Sequence, residues 1–428
     1  MKRLALPLIL LLVLSVLAYG TQIEVWLVGL TGEMAGILSD LAYETFTSQT
    51  GIEVNIYILT WADYYNRSLL ALASRDTPDI FAVGSEVMDF GVRGGLVDLA
   101  KFKPDELKEV EAQLFGALMG PVSFHGTRFG VPYDSGGMVT AYRTDILADM
   151  GMAVPVTWDD IYNWQPKANA QGRTFGLYYG SVDYASEWGA YTLVTQAGGQ
   201  FFSEDGFSSA LDRPESVVGF KNYVELFTKY NLPRAGVGLE PFINGEWLML
   251  TDGAWLHSNL IKGAPQLSGK WAIDLIPGTK RPNGEINHGS FVGGTYLAIS
   301  SLSKNKEEAW EFIKWMTSAE VQRRYANTVL ERITGSIWLP ANRQALREIA
   351  VDDSFRETFV KQAEQSAPVP PAINVAVLYR YVKFAVDKSV LSGVDPEVAI
   401  LDAAKEMNED MGKRRKEYTR YLQELGVF

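Results

Sequence analysis

Trp255 ends a stretch in which an apolar run at 247–250 meets the glycine turn of Asp252 and Gly253, and His257, Ser258 and Asn259 follow it at once. That order reads as a buried strand, a turn and a helix whose first turn presents a flat aromatic beside several hydrogen-bonding groups. Such a set suits non-covalent capture of a ring: the indole covers an apolar C–H face while amides and acids bond the polar rim. Trp61 and Trp188 hold comparable positions after other expected strands. Trp26, Trp310 and Trp315 fall inside a strand or a helix, where burial is the expectation. Asp63, Glu86, Asp134 and Glu187 lie near the same strand ends as hydroxyl acceptors, with Glu33 and Ser85 close by. Two carboxylates flanking a sugar would also suit glycoside hydrolysis. A serine hydrolase needs a histidine oriented by an acid. His125, His257 and His288 stand in no such context, and their scatter gives no metal-ligand spacing. Neither glycine-rich phosphate loop occurs. No catalytic residue, metal or cofactor is expected.

The elements that must position these side chains alternate in type. Residues 23–28 form a strand, and Met34, Ile37, Leu38, Leu41 and Thr45 give the next helix one apolar face. Ile52, Val54, Ile56 and Ile58 alternate as a second strand, and 80–83 form a third. This is a β-α-β pattern with a parallel sheet. Its strand exits would bring Glu33, Trp61 with Asp63, and Ser85 with Glu86 to one edge. Further on come a strand at 138–142 and a capping box of Thr157 and Asp160. A short strand at 175–180 follows, whose exit loop carries Asp183, Tyr184, Glu187 and Trp188. The chain after Pro340 reads as helical.

With 428 residues the chain is too long for one ordinary core, so two lobes are expected. A formal charge of -12, with no basic cluster among aromatics, excludes nucleic acid as a natural partner. The basic run at 413–416 lies among acids and reads as a solvated helix face. Lys2 and Arg3, an apolar run at 4–17 and the small residues Ala18 and Gly20 read as an export leader over 1–20, too short to span a bilayer. The absence of cysteine excludes disulfides, thiolate metal sites and a lipid-anchored cysteine, so a soluble periplasmic protein is expected.

Beyond these readings, the stretch 242–259 resembles the segment of the maltose-binding-protein group, the extracellular solute-binding proteins of family 1, in which a strand delivers a tryptophan and an asparagine to a sugar cleft. Other landmarks agree: Pro78-Asp79-Ile80, the run 94–99, Gly130-Val131-Pro132-Tyr133, Pro155-Val156-Thr157-Trp158 and Phe291-Val292-Gly293-Gly294-Thr295. So does the helix 306–316, which Thr317-Ser318-Ala319-Glu320-Val321-Gln322 follows. The resemblance implies an α/β two-lobe periplasmic-binding-protein fold of type II with three inter-lobe crossings, at 133–137, 272–277 and 335–339. The N-terminal lobe would be 21–133 plus 278–335, and the C-terminal lobe 134–277 plus 336–428.

It also implies a monomeric substrate-binding protein of an ABC importer that captures an oligosaccharide or glycoside by hinge closure and presents it to permease subunits in the inner membrane. The implied ligand set is Trp255, Trp188, Glu33, Trp61, Asp63, Ser85, Glu86, Asp134, Asn259, Gly294 and Trp338. Where the family's sugar binders often carry an aromatic after the third strand, this chain has Ala82, Val83 and Gly84, which sets it apart from maltose binders. The competing expectations are a polyamine or peptide ligand on the same scaffold, a secreted carbohydrate-active enzyme, and a chemosensory relay.

Overall fold

The computed structural model describes residues 21–177, 179, 183–234, 238–366, 369, 372–373, 375–424 and 426. The leader expected over 1–20 and the side chains of Asp183, Tyr184 and Glu187 lie outside the described residues.

Strands β1 (Gln22–Val28), β2 (Glu53–Leu59) and β3 (Ile80–Val83) open the chain. The helix Gly32–Ala42 between the first two buries Met34, Ile37, Leu38 and Leu41, the face its spacing demands. Its N-cap Thr31 accepts from the Met34 amide. A hairpin of β4 (Ser123–Phe124) and β5 (Thr127–Arg128) precedes β6 (Val131–Pro132). The second lobe then supplies β7 (Gly136–Tyr142), β8 (Thr174–Phe175), β9 (Trp247–Gly253) and β10 (Ala272–Asp274). A small hairpin of β11 (Thr279–Lys280) and β12 (Ile286–Asn287) follows, then β13 (Val292–Gly293) and β14 (Tyr296–Ile299).

The first sheet runs β2-β1-β3-β14-β6 and the second β10-β7-β9-β8, with β13 paired to β7. β1 is parallel to β2 and β3, so their exits share one edge, whereas β14 runs antiparallel between β3 and β6. One apolar cluster holds Ile23, Val25, Phe81, Leu297 and Ile299 of the first sheet and runs on to Val139, Ala141, Leu250 and Ile273 on one face of the second, whose other face packs Phe175, Leu248 and Met249 with Tyr223 and Val386. The helix Trp158–Asn169 begins with the expected capping box of Thr157 and Asp160. Among the described residues the regular elements from Arg343 onward are helices, as the sequence pattern suggested.

Two crossings fall elsewhere than the sequence suggested. Residues 278–293 stay with the second lobe. Gly278 pairs with Thr157, Thr279 donates to Gln196, Asn287 donates to the Thr195 carbonyl, and β13 continues the β7 edge. The second crossing therefore lies at Gly294 and Thr295, where strand pairing passes from β7 to β3, and not at 272–277. At the third, 340–348 are still held by the first lobe: Asn342 Nδ2 donates to Thr317 and Arg343 N to Gln113. The change of lobe is completed at 349–352, ahead of the helix Asp353–Gln365, which packs on β7 and β10.

Candidate functional site

β9 is buried along its whole length and stops at Gly253, so Trp255 opens the helix Trp255–Gly263 at the strand exit. The indole folds back over Gly253: a Cβ there would lie 2.3 Å from Cη2 of Trp255, so only glycine lets the ring rest on the backbone. Trp255 is 43% exposed. Trp188 lies beside it, ring centroids 5.8 Å apart, and Phe291 stacks on Trp188 at 5.7 Å and 24°. Three rings from three distant segments thus form one aromatic ledge on the second lobe. Asn259 is exposed one helical turn after Trp255 and shares its face. Asp252 sits behind the ledge, its Oδ1 accepting the Gly253 amide at 2.7 Å. Burial pushes its carboxyl up to about 6.

On the first lobe the exits of β1, β2 and β3 converge as expected. Trp61, 50% exposed, rests against Gly29 and meets Tyr64 edge-on at 5.4 Å. The Tyr64 hydroxyl donates to Glu86 Oε2 at 2.5 Å. Burial raises the Glu86 carboxyl above its usual range, and the Tyr64 hydrogen bond works against that rise. Ser85 is half-buried next to Glu86, while Glu33 and Asp63 are exposed at the rim. Asp63 accepts from the Thr60 hydroxyl at 2.8 Å.

Three further expected residues lie at the crossings between the lobes. Asp134 has one carboxylate oxygen accepting the Thr295 amide at 2.6 Å and the other accepting the Thr295 hydroxyl. It is committed to joining the first and second crossings, and burial pushes its carboxyl up to about 6. Gly294 is glycine because a Cβ would lie 2.3 Å from the Asp134 carbonyl oxygen, so the close neighbour is hinge backbone. Trp338 is buried between Tyr133, at 6.0 Å, and Tyr325, at 4.8 Å. Ser135 N donates to Leu339 O at 2.9 Å, lacing the chain ahead of the third crossing to the first crossing.

Sequence reasoning missed Tyr64 and Phe291. Tyr64 stood beside Asp63 in an aromatic run, and Phe291 directly before the Val292-Gly293 landmark, but an aromatic by itself reads as core. His257 stacks on Phe355 at 4.2 Å, which accounts for it as packing. Among the described residues no group of histidines and acids could hold a metal ion, and no helix is long and apolar enough to cross a membrane.

Two sheets joined by interleaved strands, each with exposed aromatic rings at its strand exits, are the arrangement this chain builds. The match to the bacterial extracellular solute-binding proteins over residues 31–323 is consistent with this, and the chain belongs to that family. It is 25% identical over 285 residues to the diacetylchitobiose-binding protein of Streptomyces coelicolor, covering 64% of each chain. To the lactose-binding protein of Rhizobium radiobacter it is 25% identical over 311 residues, covering 70% of this chain and 66% of that one. The matched part thus spans about two thirds of these relatives' length. The sugar-binding protein of Xanthomonas citri shares the fold with a TM-score of 0.79 at 20% identity, over 93% of this chain and 99% of that one.

Proposed function

We propose that this protein is the substrate-capturing component of an ABC importer and binds a carbohydrate, an oligosaccharide or glycoside, between its lobes. The observations that carry the reading are the ledge of Trp188, Trp255 and Phe291 at the β9 exit of the second lobe and the half-exposed Trp61 after β2 of the first. Exposed aromatic surfaces on both lobes suit a ligand with two apolar ring faces, and Glu86, Asn259 and Ser85 supply acceptors and donors for its hydroxyl rim. A ligand that touches both walls only when they approach favours the closed form by that difference in contact. The relatives named for diacetylchitobiose and lactose support the same ligand class.

No bond is broken in this reading. Glu86 is engaged by Tyr64 and Asp134 by Thr295, so the two acids serve as a hydrogen-bonded pair and a hinge tie. The site of action is the periplasm, the protein works as a monomer, and its closed form is what the permease subunits recognise. Isothermal calorimetry with diacetylchitobiose, lactose, maltotriose, tagatose, a polyamine and a short peptide tests it. A saccharide isotherm is the expected result. Heat from the polyamine or the peptide alone would overturn the ligand class.

A further inference from the structure

The helix Trp255–Gly263 has a second face. At about 100° of turn per residue, Trp255 and Asn259 fall together, and His257, Leu260 and Ile261 fall on the opposite side. There the helix, the loop after it, the start of β10 and the start of the helix Asp353–Gln365 enclose a pocket of about 440 Å³. Small-ligand sites run from roughly 300 to 1,000 Å³. Neither Trp255 nor Trp188 nor Trp61 lines this pocket, so it is separate from the ledge.

Its walls combine rings with one charge. Phe355 covers one face of the His257 ring, and Trp271 meets that ring edge-on at 5.8 Å. Trp271 is half-buried and lines the pocket with its indole. Burial holds the His257 imidazole below its ordinary range, so it is uncharged at neutral pH. Asp352 stands at the exposed edge. Its Oδ1 accepts both the Ser354 hydroxyl at 2.7 Å and the Phe355 amide at 3.1 Å, which leaves Oδ2 to face solvent. The Ser354 hydrogen bond, and the Phe355 amide after it, hold this carboxyl below the usual range, so it is ionised. No lysine or arginine lines the pocket, and Arg356, one turn on, is engaged by Asp353. Among the described residues Asp352 is therefore the one charge on these walls at neutral pH.

We propose that this pocket is a second ligand site, on the second lobe and apart from the ledge, that takes a small organic cation: an alkylammonium group whose charge meets Asp352 and whose C–H surface lies against Trp271. A carboxylate and an indole on the walls of one pocket attract such a group both by charge and through the ring face. An anion would meet the carboxylate with no basic group to offset it. A metal ion needs several ligands, and among the described residues no group of histidines and acids supplies them. A neutral sugar would gain from the indole and leave the charge unused.

The test titrates the protein with choline and with its uncharged isostere, in which carbon replaces the ammonium nitrogen. The readout is the indole N–H resonances of Trp271 and Trp255 in proton–nitrogen correlation spectra, assigned with Trp271→Phe and Trp255→Phe. Choline should move the Trp271 resonance saturably and leave that of Trp255 in place, and the isostere should bind about fivefold more weakly. Asp352→Asn keeps a good N-cap, so the helix starts as before, and should weaken choline by a similar factor. A Trp271 resonance that choline does not move, equal affinity for the isostere, or choline binding unaltered in Asp352→Asn would overturn the cation. A choline shift confined to Trp255 would put the cation on the ledge and overturn the second site. Glucose moving the Trp271 resonance at lower concentration than choline would make the pocket a saccharide subsite and refute the proposal.

Discussion

Replacing Trp255 by alanine tests the ledge at its centre. At 43% exposure, a tryptophan with roughly 250 Å² of surface offers about 110 Å² to a ligand. Covering half of that, as a single ring face would, contributes about 1.4 kcal/mol at 25 cal/mol per Å², and covering all of it about 2.7 kcal/mol. Trp255→Ala should therefore raise the saccharide Kd by between about tenfold and about a hundredfold. Melting temperature should change little, because the exposed part of the ring contributes little to the core. A companion variant separates position from presence. Gly253→Ala keeps the indole but puts a methyl where Cη2, Cζ2 and Cζ3 now lie within 2.4 Å. The ring must swing off its seat, and affinity should fall by a similar factor. Calorimetry on both variants with whichever saccharide the wild type binds reads the result. A Kd within twofold of wild type in Trp255→Ala would refute the stacking argument, and loss in Gly253→Ala alone would point to the strand end instead.

Two further outcomes concern the hinge. Asp134, with a folded pKa of about 6 against an ordinary 3.8, holds its proton more readily folded than unfolded, so its linkage favours the fold below 3.8 and that contribution is lost as pH rises through 6. Asp134→Asn removes a term of up to about 3 kcal/mol. The relative gain in melting temperature on acidification from about pH 7 to about pH 5 should shrink in the variant, Asp252 keeping part of it, and identical pH profiles would contradict this reading. Trp338→Ala empties the space between Tyr133 and Tyr325 and should cost about 3 to 5 kcal/mol in denaturant unfolding, with a weaker effect on Kd than Trp255→Ala. The reverse ranking would return Trp338 to the ligand.

The first lobe was legible because its strands alternate and its helix carries a clean apolar face, so the register of 23–28 and 52–58 needed no long-range information. Trp255 was legible for a similar local reason: a strand, a glycine turn and an aromatic in sequence. The crossings were not. The β11–β12 hairpin has two residues per strand, and what keeps it on the second lobe is a set of bonds to Gln196 and Thr157, far away in sequence. The places of Asp134 and Trp338 at the crossings were not legible locally, because hinge and cleft draw on the same polar and aromatic residue types. Phe207 and Arg415 gave no local signal, and the basic run read as a solvated face sends Arg415 onto the ring of Phe207, far away in sequence.

The place of β14 has a consequence for how such a chain matures. It lies between β3 and β6 and is the strand that β6 pairs with, so a growing chain cannot complete its first sheet before residue 299 is available. Until then β3 lacks one neighbour, and the apolar side chains of both strands stay uncovered. Arg93 of the first lobe waits longer still for its partner Tyr418, from the far end of the chain. Assembly ordered this way runs late and through distant pairings, which keeps the polypeptide loose while most of its length is being made.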